Sequence, residues 1–149
     1  MNAFQPSNGS LQRGQLVSGN LNNVKTSDNL YVTVKNVLAQ GEPSIQVTVK
    51  ASTTQLNASN LAISIEDAVT TTGVVRSIEV LNVQTGLFEL LDSSGAATSD
   101  SVTVAGAAGN VTRFINQTTG VVTTRLTYTQ TNSPVNYRAK FDRFALLTN

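Results

Sequence analysis

The chain contains neither cysteine nor histidine. Without thiols there is no disulfide framework, thiolate nucleophile or thiolate metal site. Without imidazole the Ser-His-Asp and Cys-His arrangements, the usual zinc sites and the commonest general base near neutral pH are excluded. Tryptophan is also absent and there are only 3 tyrosines, so a flat aromatic platform for stacking sugars or bases has few residues to draw on. Charged residues make up 13% of the chain, 10 basic against 9 acidic, a balance that steers the whole molecule neither towards nucleic acid nor towards an anionic membrane. No segment approaches the ~18 apolar residues that span a bilayer, and MNAFQPSNGSLQRG at the start has neither the charged beginning nor the apolar run of a signal peptide. Neither nucleic acid binding nor membrane insertion is expected.

What is present is strand chemistry. Val and Thr make up about a quarter of the 149 residues, with Asn, Ser, Gln and Gly filling much of the rest, a mixture suited to half-buried strands and polar turns. Period-two alternation recurs along the chain. Ile45, Val47 and Val49 oppose Gln46, Thr48 and Lys50, Leu61, Ile63 and Ile65 form another row, and Val122, Thr124, Leu126 and Tyr128 a third. The most apolar stretch, Ile78 to Asp92, reads as a central hairpin around Asn82-Val83-Gln84-Thr85-Gly86, with Gly86 supplying positive φ. Asn116 to Gly120 repeats the Asn-x-x-Thr-Gly spacing, between a strand at Val111 to Ile115 and the next. A change of parity near Asp142-Arg143 reads as a β-bulge in the last strand. The whole predicts an all-β, antiparallel sandwich of the jelly-roll type with nine or ten strands and no significant helix. Residues 1–13, with Pro6 and Asn8-Gly9-Ser10 as breakers, are expected to be a flexible N-terminal arm, and residues 14–149 one domain.

Few residues carry candidate chemistry. Asp28 and Asp100 each close a Thr-Ser-Asp triplet before a strand, where a carboxylate accepts backbone N–H groups. With Asp142 they are the Ca²⁺ candidates, and Glu66 and Asp67 are further oxygen donors; no EF-hand spacing accompanies them. Glu66 and Asp67 are neighbours on a strand, point to opposite faces, and so cannot flank a glycosidic bond from one side. Arg138, Lys140 and Arg143 interleave with Tyr137, Phe141 and Phe144, which alternation explains as an edge strand protected by charge. The chain is therefore not expected to be an enzyme.

Ser18-Gly19-x-Leu21, Ser27-Asp28-x-x-Tyr31, Ile78 to Asn82 with Thr85-Gly86, Thr98-Ser99-Asp100 and Asp142 together give the chain a pattern. It resembles a family of uncharacterised β-sandwich domains at the ends of large secreted or surface bacterial proteins. The resemblance implies a non-catalytic accessory domain similar to carbohydrate-binding modules, outside the cell or on its surface, whose partner is a polysaccharide or a protein surface. It supplies no ligand residues, and the tryptophan common near the family's final Asp is missing here. The alternative is a structural subunit of a virion or extracellular filament, binding copies of itself through sheet edges and the N-terminal arm.

Overall fold

Alternating apolar and polar side chains shape eleven strands in the computed structural model, which describes residues 1–149. In chain order they are β1 (Asn2–Phe4), β2 (Pro6–Arg13), β3 (Gln15–Ser18), β4 (Val32–Lys35), β5 (Pro43–Ser52), β6 (Leu61–Val69), β7 (Val74–Asn82), β8 (Leu87–Gly95), β9 (Ser101–Gly106), β10 (Val121–Gln130) and β11 (Arg138–Thr148). Two 3₁₀ turns, Leu21–Val24 and Val111–Phe114, are the helical pieces.

The strands form two sheets, and every pairing is antiparallel. One runs β3-β4-β11-β6-β9, with β1 joining β11 in line with β4, because β6 holds the other side of β11 throughout; the second runs β2-β5-β10-β7-β8. Inward side chains of both sheets form one core, including Ile63, Ile65, Phe144 and Leu146 from the first and Ile45, Ile78, Leu126 and Tyr128 from the second. The jelly-roll sandwich and the absence of any long helix are as the sequence predicts.

Several local expectations need correction. Residues 1–13 are not a free arm: β1 pairs with β11 and β2 with β5. Their polarity hid this, because β2 is an edge strand held by backbone hydrogen bonds, and from Ser7 to Arg13 its residues are exposed. The Ile78–Asp92 hairpin exists, but β8 is an edge rather than a central strand, and Leu87 and Leu90 are exposed. β11, in contrast, is no charged edge; it lies between β4 and β6.

Val111 to Ile115 is mostly a 3₁₀ turn whose first turn is capped by Asn110, so Asn116 to Gly120 leads from that turn into β10 instead of joining two strands. The turn chemistry is nonetheless the same as at Asn82. The Asn82 side-chain oxygen accepts the Gln84 and Thr85 N–H groups, that of Asn116 accepts those of Thr118 and Thr119, and each closing glycine N–H returns to its Asn carbonyl.

Candidate functional site

Two places combine polar chemistry with positioning by the sheets. The first is the outer face of the β2-β5-β10-β7-β8 sheet. Because Val47 and Val49 point into the core, Gln46 and Thr48 of β5 must point out, and the same parity puts Arg125 and Thr127 of β10 and Glu79 of β7 beside them. The side chains meet in three separate pairs. Gln12 accepts a hydrogen bond from Thr48 at 2.8 Å, Gln46 donates to Thr127 at 3.2 Å, and the Arg125 guanidinium pairs with Glu79 while lying 4.0 Å from the centre of the Phe88 ring. With strands about 4.8 Å apart, five of them give a strip ~19 Å across, lined by amide, hydroxyl, guanidinium and carboxylate groups and ending on one aromatic ring.

The second is a carboxylate cluster at one end of the other sheet. Oxygen atoms of Glu66, Asp100 and Asp142 all lie within 4.8 Å of one another. Each is placed by a different element: Glu66 stands on β6, Asp100 in the loop entering β9, and Asp142 at the bulge of β11, where the register shifts between Phe141 and Arg143. The bulge lets Asp142 leave the strand's alternation and reach the 25–31 loop. Its Oδ1 accepts the backbone N–H of Asp28 at 3.2 Å and of Asn29 at 3.0 Å, and Ser27 Oγ donates to its Oδ2 at 3.4 Å.

Of the three Ca²⁺ candidates from the sequence, two lie in this cluster and Asp28 lies outside it. Asp100 and Asp142 meet, but Asp28 directs its own carboxylate to the Leu30 N–H at 3.1 Å and contributes its backbone rather than its side chain. Glu66 takes the third position, on the outer face of β6, and Asp67 turns inward to pair with Arg76 at 2.7 Å in the core. The opposite-faces argument for these two acids thus holds. Of the basic residues on β11, the Lys140 ammonium sits 5.6 Å from the centre of the Tyr31 ring.

Electrostatics give the cluster a defined character. No lysine or arginine forms a salt bridge with Glu66, Asp100 or Asp142. Like charges about 4 Å apart repel by ~1 kcal/mol even in bulk-water dielectric, which a cation would offset. Tyr31, whose hydroxyl donates to Asp100, has its phenol pushed up to about 12 by that hydrogen bond first and then by desolvation and the nearby negative charges. The three groups offer only carboxylate oxygens, the donor type that suits a hard cation such as Ca²⁺ rather than zinc.

The outer strip was legible as alternation around Gln46, Thr48 and Lys50, but nothing in the sequence showed that Gln12, Glu79, Arg125 and Phe88 would join it. No protein-family model matches the chain, and no curated protein matches it in sequence. Solved structures do share its fold. A family 4 carbohydrate-binding module aligns over 83% of this chain and 87% of its own, at 9% identity and a TM-score of 0.55. A family 29 module from Piromyces equi aligns over 98% and 91%, at 7% identity and 0.54. A family 61 module, solved with β-1,4-galactotriose, aligns over 95% and 88%, at 11% identity and 0.53. The fold of this chain is that of the carbohydrate-binding β-sandwiches.

Proposed function

We propose that this chain is a non-catalytic module that binds polysaccharide on the outer face of the β2-β5-β10-β7-β8 sheet. The observation that carries the reading is the row of polar side chains that the outer face sets side by side, Gln12, Thr48, Gln46, Thr127, Arg125 and Glu79, beside the Phe88 ring, on a fold shared with modules that bind sugars. A glycan presents hydroxyl groups in many directions, and amides, hydroxyls and charged forks on a rigid sheet meet them without reorganising. The Phe88 ring, backed by the guanidinium of Arg125, offers an apolar surface for the C–H face of a sugar. The place for such a module is outside the cell or at its surface, attached to or accompanying a protein that acts on or adheres to the polysaccharide.

Ca²⁺ is the companion part of this reading, held by Glu66, Asp100 and Asp142 as a structural ion that ties the 25–31 loop and the loop before β9 to β11. Its role is to fix loops rather than to touch sugar. The assembly alternative has lost its arm, since residues 2–13 pair within their own chain.

Affinity electrophoresis through gels containing soluble xylans, galactans, mannans and β-glucans tests the binding. At least one polysaccharide should retard the protein; migration unchanged by every one would reject the reading. Thermal unfolding with added CaCl₂ tests the ion. A concentration near 100 times Kd should stabilise the fold by about 2.7 kcal/mol, and the gain should vanish in Glu66→Gln/Asp100→Asn.

A further inference from the structure

Between the sheets, beneath the corner where the chain passes from β2 to β3, lies a cavity of about 180 Å³. Its floor is buried and apolar, built from Val34, Ile65, Phe141 and Phe144 of one sheet and Val49 and Leu126 of the other. Its walls include Leu21, Val32 and Val47, which point inward yet remain half-buried, and its rim, at Gly9, Ser10, Leu16 and Asn20, is exposed. The cavity therefore runs from solvent to the core.

One residue of β2 leaves part of this space unfilled. Gly9 of β2 stands directly opposite Val49 of β5, and residues opposed in an antiparallel pair share a face, so the Gly9 position belongs to the inward row. A side chain there would reach between the sheets, and glycine supplies none. Backbone geometry does not demand glycine: its φ is not positive, and an added Cβ would come only to 3.5 Å from Leu21 Cδ1, an ordinary contact. Neither a positive φ nor crowding requires glycine at this position.

We infer that this cavity is a second binding site, independent of the polysaccharide strip, that takes a small hydrocarbon group such as a short alkyl chain entering past Gly9 and Asn20. Apolar cavities of about 150 Å³ take up benzene or xenon and exclude water, so a space of about 180 Å³ with this lining suits a chain of roughly six carbons, its polar end left among the exposed rim groups.

The test titrates the methyl-labelled protein with straight-chain alcohols and follows the methyl resonances of Val32, Val47, Leu21 and Leu126. Saturable shifts confined to the methyls that line the cavity are expected, with affinity rising at least tenfold from propanol to hexanol and no further gain at decanol. Gly9→Leu fills the space and should abolish the shifts, whereas Ser10→Ala keeps them. Shifts that never saturate, affinity that climbs through decanol, or Gly9→Leu binding as the parent does would each overturn the inference. The chain-length series uses the unaltered protein, so the decision stands even where Gly9→Leu folds poorly.

Discussion

The carboxylate of Asp142 accepts the backbone N–H of Asn29 at 3.0 Å across 113 residues of chain. It is a bulge residue of β11, fully buried, and it anchors the loop that carries Asp28 and Tyr31. Asp142→Ala removes the acceptor from two backbone donors and should cost about 1–3 kcal/mol of unfolding free energy by urea titration. Asp142→Asn keeps one carbonyl acceptor and should cost less. Equal losses for the two would show that the side chain does not hold the loop.

In the core, Asp67 and Arg76 pair at 2.7 Å with both side chains almost wholly buried, and the Tyr128 hydroxyl donates to the second carboxylate oxygen. Thr103 and Ser94 take the other guanidinium nitrogen, while Arg76 Nε has no partner. Breaking the pair leaves an uncompensated charge, so Arg76→Ala should cost about 3–5 kcal/mol. The triple replacement Asp67→Leu, Arg76→Met, Tyr128→Phe should recover much of that loss. A triple variant less stable than Arg76→Ala alone would mean that the network does more than satisfy itself.

The two Asn-x-x-Thr-Gly turns look interchangeable and should not respond alike to alanine. Gly86 has φ 75° with open space around it, whereas a Cβ at Gly120, φ 74°, would meet the Thr53 carbonyl oxygen at 2.1 Å. Gly86→Ala should cost only the ~1–2 kcal/mol of a left-handed residue. Gly120→Ala must also move the β5–β6 connection and should lower the melting temperature several times as much. Melting temperatures within a degree or so of each other would contradict this, since about 1 kcal/mol already shifts it by a few degrees.

All 3 tyrosines hold their protons more tightly than the ordinary value of 10.0. Burial is the chief cause for Tyr128 and Tyr137, and the Asp100 hydrogen bond for Tyr31, which is raised to about 12. Because the folded values exceed the unfolded one, the stability they contribute is complete below pH 10.0 and is lost progressively as the pH climbs from there through the folded values, about 12 for Tyr31. Near-ultraviolet phenolate absorbance should stay low at pH 10.0 in the folded protein and appear once it is unfolded in urea. Half-ionisation of the folded protein at that pH would refute the hydrogen-bonding scheme.

How much of this was legible follows from where the information resides. Alternation in β5, β6 and β10 declares which side chains face the core, and the parity change at Asp142 announces the bulge, because both are local properties of the chain. β2 could not be read that way: from Ser7 onwards its residues lie exposed along an edge, and what makes it a strand is the backbone of β5. The strand expected at Val111 became a 3₁₀ turn because the Asn110 cap and the tertiary path outweighed β-propensity. In the carboxylate cluster, Asp100 and Asp142 announced themselves by turn and bulge signals. Glu66 joined them, and Asp28 stayed out, through pairings between distant strands that no local pattern encodes. Gly9 was read as a breaker, and its meaning emerged only when Val49 was found opposite it.

The central claim is that polysaccharide binds to the outer face of the β2-β5-β10-β7-β8 sheet. Isothermal titration of the best polysaccharide from the gel screen against Gln46→Ala/Arg125→Ala, with Lys35→Ala on the other sheet as the control, tests it most directly. The account predicts at least a tenfold loss of affinity in the double variant at unchanged circular dichroism, with the control binding like the parent. Parent-like binding by the double variant would contradict it.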